Sequence, residues 1–259
     1  MNALKRILQK WSLALKVLPI LLLVVVLKIL SHTYGFEVIE LNALFTSLVA
    51  STVFLLGFLI SGVLSDYKES EKIPSELAAS LETLFDDAYT IHKGKGSPAA
   101  QQLIEHHRSL MSALNDWFYK RIRTQAVLEL IGGMNAFFIA LENEGVQANY
   151  IIRMKNEQSV IRKAVLRIHT IRDTEFVQSA YAIVEALGFA IAFGMILIKI
   201  EPFYESLFFT VLVTFLIAYM FFLIKDLDNP FDYSTHGETG TEIPLKPLHD
   251  LELRLKNHC

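Results

Sequence analysis

Cysteine is nearly missing from these 259 residues, and the one present, Cys259, leaves no intrachain disulfide and no cysteine-based metal site. No glycine-rich phosphate loop, nucleophile elbow or paired-histidine helix motif occurs, so nucleotide hydrolysis, acyl transfer and zinc proteolysis lose their usual signatures. Charge of one sign is not in excess either: the net charge is −3, and no nucleic-acid partner is expected. With 7 prolines and 12 glycines the chain has few turn signals, and neither an alternating strand pattern nor an internal repeat stands out.

What the sequence does contain is apolar length. Hydrophobic residues make up 53% of the chain and its mean hydropathy is +0.38, which points to a membrane protein. Charged residues still account for 20%, so part of the chain must lie in water. Four stretches reach the roughly 20 apolar residues that cross a hydrocarbon core: 12–33, 41–65, 176–199 and 205–225. Lys5, Arg6 and Lys10 precede the first, but no small-residue cleavage site follows it, so it is read as a retained span and not a signal peptide. Lys16 and Lys28 sit near its ends, where their stems can snorkel to the headgroups.

Charge placement orients the spans. The two short connections carry Glu37, Glu40, Glu201 and Glu205, whereas Lys68, Lys72, Arg162, Lys163, Arg167, Arg172 and Lys225 cluster at the other ends. The positive-inside rule then puts both termini and the segment 66–175 in the cytoplasm. That segment reads as amphipathic helix, with Leu77, Leu81, Leu84 and Phe85 on one face, one plain turn at "KGKGSP", and Gly132-Gly133 as a candidate kink. The tail, 226–259, is extended and ends in a short helix at "LHDLELRLKN"; it needs a surface to pack on, such as a neighbouring subunit.

Few residues invite chemistry. His106 and His107 beside Glu105 read as exposed helix polars, because the other histidines are scattered; no metal, cofactor or catalytic group is expected. Glu185 lies inside the third span, where a carboxylate is costly; it serves either an ion or proton pathway or a hydrogen-bonded contact between helices. Gly188, Ala192 and Gly194 predict close helix packing on the same span. In the second span Ser47, Ala50, Ser51, Phe54, Phe58 and Ser61 share one face. Such a stripe fits buried helix packing, or the wall of a narrow apolar passage whose ring edges are weakly positive and which gates by dewetting.

Two segments resemble the bestrophin family of pentameric channels. "FLLGFLISGVLSDYKESEKIP" is similar to that family's pore-lining second helix, with Phe54 four residues before the phenylalanine of the pair Gly57-Phe58. "FFLIKDLDNPFDYSTHGETGTEIPLKPL" resembles the acidic-Leu-acidic-Asn-Pro-Phe turn after the last span, here Asp226, Leu227, Asp228, Asn229, Pro230 and Phe231. The resemblance implies five copies around a pore whose neck is Ala50, Phe54 and Phe58, with Ala50 standing where a larger apolar residue is usual. It also implies a second constriction before the third span, within "HTIRDTEF", with Ile171 or Arg172 as the candidates. Animal members bind calcium through a dense acidic run, but the tail here has only Asp232, Glu238 and Glu242, so no calcium clasp is expected.

The expectation is an all-α, multi-pass membrane protein with four transmembrane helices continuing into a cytoplasmic helical region. It is a homo-oligomer, a pentamer by the resemblance, whose partners are membrane lipid and permeant ions, chloride or other anions. Short loops and compact length place it in a bacterial inner membrane. Two other readings stay open: a proton-coupled secondary transporter using Glu185, and a non-conducting scaffold or sensor.

Overall fold

In hydrocarbon every backbone polar group must bond within the segment, so apolar runs of membrane length fold as helices. The computed structural model describes residues 11–173, 178–233 and 242–257; Lys5, Arg6, Lys10, Phe176, Glu238 and Cys259 lie outside them. Its helices are α1 (Ser12–Thr33), α2 (Ala43–Ser70), α3 (Ile73–Lys95), α4 (Pro98–Phe118), α5 (Thr124–Asn143), α6 (Ala148–Asp173), α7 (Gln178–Leu197), α8 (Phe203–Asp228) and α9 (Lys246–Asn257). The chain divides into an apolar unit, Met1–Tyr67 with Glu175–Asp228, and a charged unit, Lys68–Thr174 with Asn229–Cys259.

In the apolar unit α1 packs on α7 and α8, and α7 packs on α8. Leu56, Leu59 and Val63 of α2 join Val184, Ile191, Ile217 and Ile224 in one buried cluster. Leu15, Leu22, Leu23 and Val26 of α1 face outward, as lipid-facing residues do. Two of the three small residues singled out on α7, Gly188 and Gly194, pack closely as predicted, while Ala192 lines a cleft. A Cβ on Gly188 would sit 3.3 Å from the Ile217 side chain, and one on Gly194 would collide with the Phe45 ring.

The connections after α1 and α7 meet in a parallel pair of two-residue strands, β1 (Ile39–Glu40) and β2 (Ile198–Lys199), with Ile39 opposite Ile198. Strands this short leave no alternation to read in a sequence. Lys28 is a second difference. It does not snorkel: it is fully buried, and its Nζ donates to the Ile198 carbonyl at 2.5 Å and meets Glu37 Oε1 at 2.7 Å. The same Nζ lies 3.4 Å from the carbonyl of Ile196 in the last turn of α7, where carbonyls have no partner in their own helix.

The charged unit buries the apolar faces of α3, α4, α5 and α6 against one another. Leu77, Leu81, Leu84, Leu103, Leu110, Ile131, Ile161 and Val165 are buried, each contributing about 1.5–3 kcal/mol. The predicted turn is present: Gly96 takes the left-handed conformation at φ 63° that ends α3, and Ser97 Oγ accepts from Ala100 N to start α4. Buried Asp87 receives Arg153 through both nitrogens of its fork. Gly132-Gly133 lies inside α5, which runs unbroken from Thr124 to Asn143; a Cβ on Gly133 would sit 3.3 Å from the His106 ring, so glycine there permits close packing.

Length and composition also qualify Thr124–Asn143 to cross a membrane, giving five such helices among the described residues where the sequence reading counted four. Its apolar row, Val127, Ile131, Met134, Phe138 and Leu141, is buried in the charged unit. The tail does not wait for another subunit. Ile243, Leu245, Leu248 and Leu251 are buried, α9 lies on α3, and Arg254 makes two 2.9 Å bonds to Glu82.

Candidate pore helix

Helix α2 has two unlike faces. Thr52, Leu56, Leu59 and Val63 are buried, whereas Ser47, Ala50, Ser51, Phe54, Phe58 and Ser61 are exposed. Phe54 and Phe58 are 78% and 70% exposed, so the stripe is not buried packing within its own chain. Their Cα atoms are about 6 Å apart along the helix axis, which stacks the two rings on one side of the rod. A hydroxyl on this face is satisfied by its own helix, Ser47 Oγ donating to the Ala43 carbonyl at 2.8 Å. The face thus presents the rings of Phe54 and Phe58 and the methyl of Ala50 together with the exposed Ser51 and Ser61.

Glu185 on α7 is exposed and lines a cleft of about 330 Å³ shared with α1 and α8. Among the described residues no hydrogen bond or ion pair reaches it, so the interhelical-contact reading has no partner among them.

The aperture candidates Ile171 and Arg172 lie in the last turn of α6 and are both half-buried. Arg172 uses its whole fork. Nε donates to the Phe231 carbonyl at 3.1 Å, Nη1 to Trp117 at 3.1 Å and Nη2 to Phe118 at 2.7 Å. Its guanidinium carbon lies 4.7 Å from the Trp117 ring centre, a cation–π distance. Burial lowers its pKa, opposed by Tyr233, Asp232 and Asp173. This arrangement ties the end of α4 and the Asn-Pro-Phe turn to α6, a role that no local motif announces.

Helix α8 runs to Asp228, so Asp226 and Asp228 belong to its last turn, and Asn229, Pro230 and Phe231 form the turn itself. Asp226 meets Lys16 at 3.6 Å. Phe231 is fully buried, Ile243 N donates to the Pro230 carbonyl at 3.0 Å, and Tyr233 OH donates to the Ile243 carbonyl at 2.6 Å.

The histidine pair is not exposed, contrary to the sequence reading. His107 is fully buried with Nε2 2.9 Å from the Leu81 carbonyl, and His106 Nε2 lies 2.7 Å from the Leu130 carbonyl. Burial holds the His107 imidazole down to about 4, against the raising effect of its Leu81 bond. No group of three or more metal-ligating side chains occurs among the described residues.

Sequence reasoning missed one ionic cluster. His32 Nδ1 lies 2.9 Å from Glu37 Oε2, opposite the Lys28 contact, and the His32 ring stacks on Phe203 at 4.0 Å. Burial opposes ionisation of Glu37, but the hydrogen bonds from His32 and Lys28 outweigh it and hold its pKa below the usual carboxylate value. The available signal was a lysine inside an apolar run with a carboxylate nine residues on.

No protein-family model and no curated protein matches the sequence. Solved structures do. A variant of a bacterial bestrophin homologue from Klebsiella pneumoniae superposes with a TM-score of 0.76 at 17% identity, over 93% of this chain and 98% of that one. A second variant of that homologue gives 0.78 at 17% identity over the same shares. A structure described as a membrane protein gives 0.79 at 15% identity, over 93% and 97%. This all-α membrane protein has the bestrophin fold.

Proposed function

We propose that the chain assembles as a homopentamer and conducts anions, chloride among them, through a neck formed by five copies of α2. The observation that carries this reading is the exposure of Phe54 and Phe58 on a helix whose opposite face is buried. Two large rings facing away from their own subunit need either lipid or other copies, and the bestrophin fold supports a ring around α2. Ala50, Phe54 and Phe58 then follow one another along the passage, one per helical turn. Apolar walls dehydrate the ion partly and close by dewetting, while ring edges tolerate an anion.

The charge pattern supports a cytoplasmic location for the charged unit and for both termini, in a bacterial inner membrane. Lysine and arginine near those helix ends then raise the local anion concentration. Arg172 is occupied by three carbonyls, which makes Ile171 the better candidate for the second constriction. The Lys28–Glu37 pair and the Arg172 bonds hold the helix ends within each unit.

The test is current in planar bilayers under a chloride gradient, for wild type, Phe54→Ala and Phe58→Ala. Unitary steps with an anion-selective reversal potential, and altered conductance or gating in both variants, are expected. Absence of current, or identical behaviour of all three proteins, refutes the neck. Native mass spectrometry of the detergent-solubilised protein tests the pentamer separately.

A further inference from the structure

The membrane cleft beside Glu185 lies outside that proposed neck and combines features that a lipid-facing groove lacks. Its volume is about 330 Å³, within the range of small-molecule sites. Ile217, Phe189, Phe221 and Phe222 supply apolar and aromatic wall, and two residues with polar side chains line it as well, Glu185 and Thr214. Glu185 is about 10 Å along α7 from the helix start, well inside the apolar run. Thr214 is only 5% exposed, and its Oγ1 has no hydrogen-bond partner. One turn earlier Thr210 behaves in the ordinary way, its Oγ1 donating to the Ser206 carbonyl at 2.7 Å. Thr214 departs from that pattern on the wall of a cleft that Glu185, a carboxylate without a partner among the described residues, also lines.

We propose that this cleft binds an amphipathic primary ammonium ion, an aliphatic or arylalkyl amine entering from the lipid. A carboxylate in an apolar surround calls for a cation, and the aromatic faces of Phe189, Phe221 and Phe222 favour one. A hard metal ion is the wrong cation, because calcium and magnesium need six or more oxygens and the cleft offers one carboxylate and one hydroxyl. A primary ammonium has three donors, enough for both Glu185 oxygens and Thr214 Oγ1 at once. Its carbon chain continues along the ring-lined wall towards lipid. The proposal stands apart from conduction: a chain that conducts without binding the amine, or binds without conducting, separates the two readings.

The experiment uses the full chain in phosphatidylcholine nanodiscs at neutral pH with a diazirine-bearing decylamine as photoprobe, and the labelled residues mapped by mass spectrometry. Labelling is expected on α7 and α8 around Phe189 and Phe221. Decylamine competes. Decanol, which lacks the charge, and decyltrimethylammonium, which lacks the donors, each compete about tenfold less well. Glu185→Gln lowers labelling about tenfold and Thr214→Val about threefold, with melting curves showing that both variants are folded. Equal competition by decanol shows a lipid-chain or alcohol groove and overturns the proposal, as does equal labelling of Glu185→Gln. Absence of labelling at the cleft, as a second copy of the chain covering it would produce, overturns it too. The competition series in wild-type protein decides the matter even where a variant fails to fold.

Discussion

Arg172 donates to the carbonyl of Phe118 at 2.7 Å, so the last residue of α6 but one closes the open end of α4. The same guanidinium reaches Trp117 and Phe231. One planar cation thereby serves three main-chain acceptors. Two of them, Phe118 and Phe231, take no other backbone bond among the described residues, while Trp117 also accepts from Lys120 N at 3.0 Å.

Replacing it should be costly. Arg172→Ala strands the partly buried carbonyls of Phe118 and Phe231, and removes one of the two donors to Trp117, which keeps Lys120 N at 3.0 Å. It should destabilise the protein by about 2–4 kcal/mol in thermal or denaturant unfolding. Arg172→Lys should recover little of this, because an ammonium lacks the planar fork. A lysine variant as stable as wild type would show that only the charge matters.

The Lys28–Glu37 pair predicts non-additivity. Lys28→Met and Glu37→Gln should each lower the melting temperature, and Lys28→Met the more, since it leaves a buried carboxylate beside the Ile198 carbonyl. The double variant should be more stable than the sum of the two losses, by a coupling energy of about 1–3 kcal/mol. Additive losses would mean that the contact contributes nothing.

His107 makes stability depend on pH with a definite sign. Its imidazole is held to about 4 in the folded protein against an ordinary 6.5, so the unfolded chain binds the proton more readily. Stability should therefore fall as pH drops below about 6.5 and go on falling to about 4, a loss approaching 3 kcal/mol from this group. His107→Gln, which can still donate to the Leu81 carbonyl, should flatten that part of the curve. Unfolding midpoints of both proteins between pH 7 and 4 provide the check, and parallel curves would exclude His107 as the source.

Gly194 seats the start of α2 by admitting the Phe45 ring. Gly194→Ala should destabilise the protein by about 1–3 kcal/mol through overpacking. Adding Phe45→Leu should restore part of the loss, whereas an unimproved double variant would place the strain elsewhere.

Much of this was legible from the sequence, for identifiable reasons. Apolar runs of membrane length, the glycine left-handed turn at Gly96, and Ser97 with Pro98 are local signals that tertiary context did not override. The odd face of α2 was legible as odd, because serine and phenylalanine recur there at helical spacing. What stayed hidden depends on partners far along the chain. Lys28 looks the same whether it reaches headgroups or a carbonyl 170 positions away. Arg172 looks like one more basic residue at a helix end. The break between α4 and α5 also had no glycine or proline to mark it: Lys120 itself turns the chain, at φ 58°. His107 was misread because a histidine hydrogen-bonded to a carbonyl across a core has no signature beyond its helical position.

The seat of α9 against α3 of its own chain carries a genetic consequence. A tail lent to a neighbour would make one truncated subunit poison two positions in an assembly. A tail that folds home makes C-terminal truncation first an injury to its owner, since the contact that is lost joins α9 to α3 of the same chain.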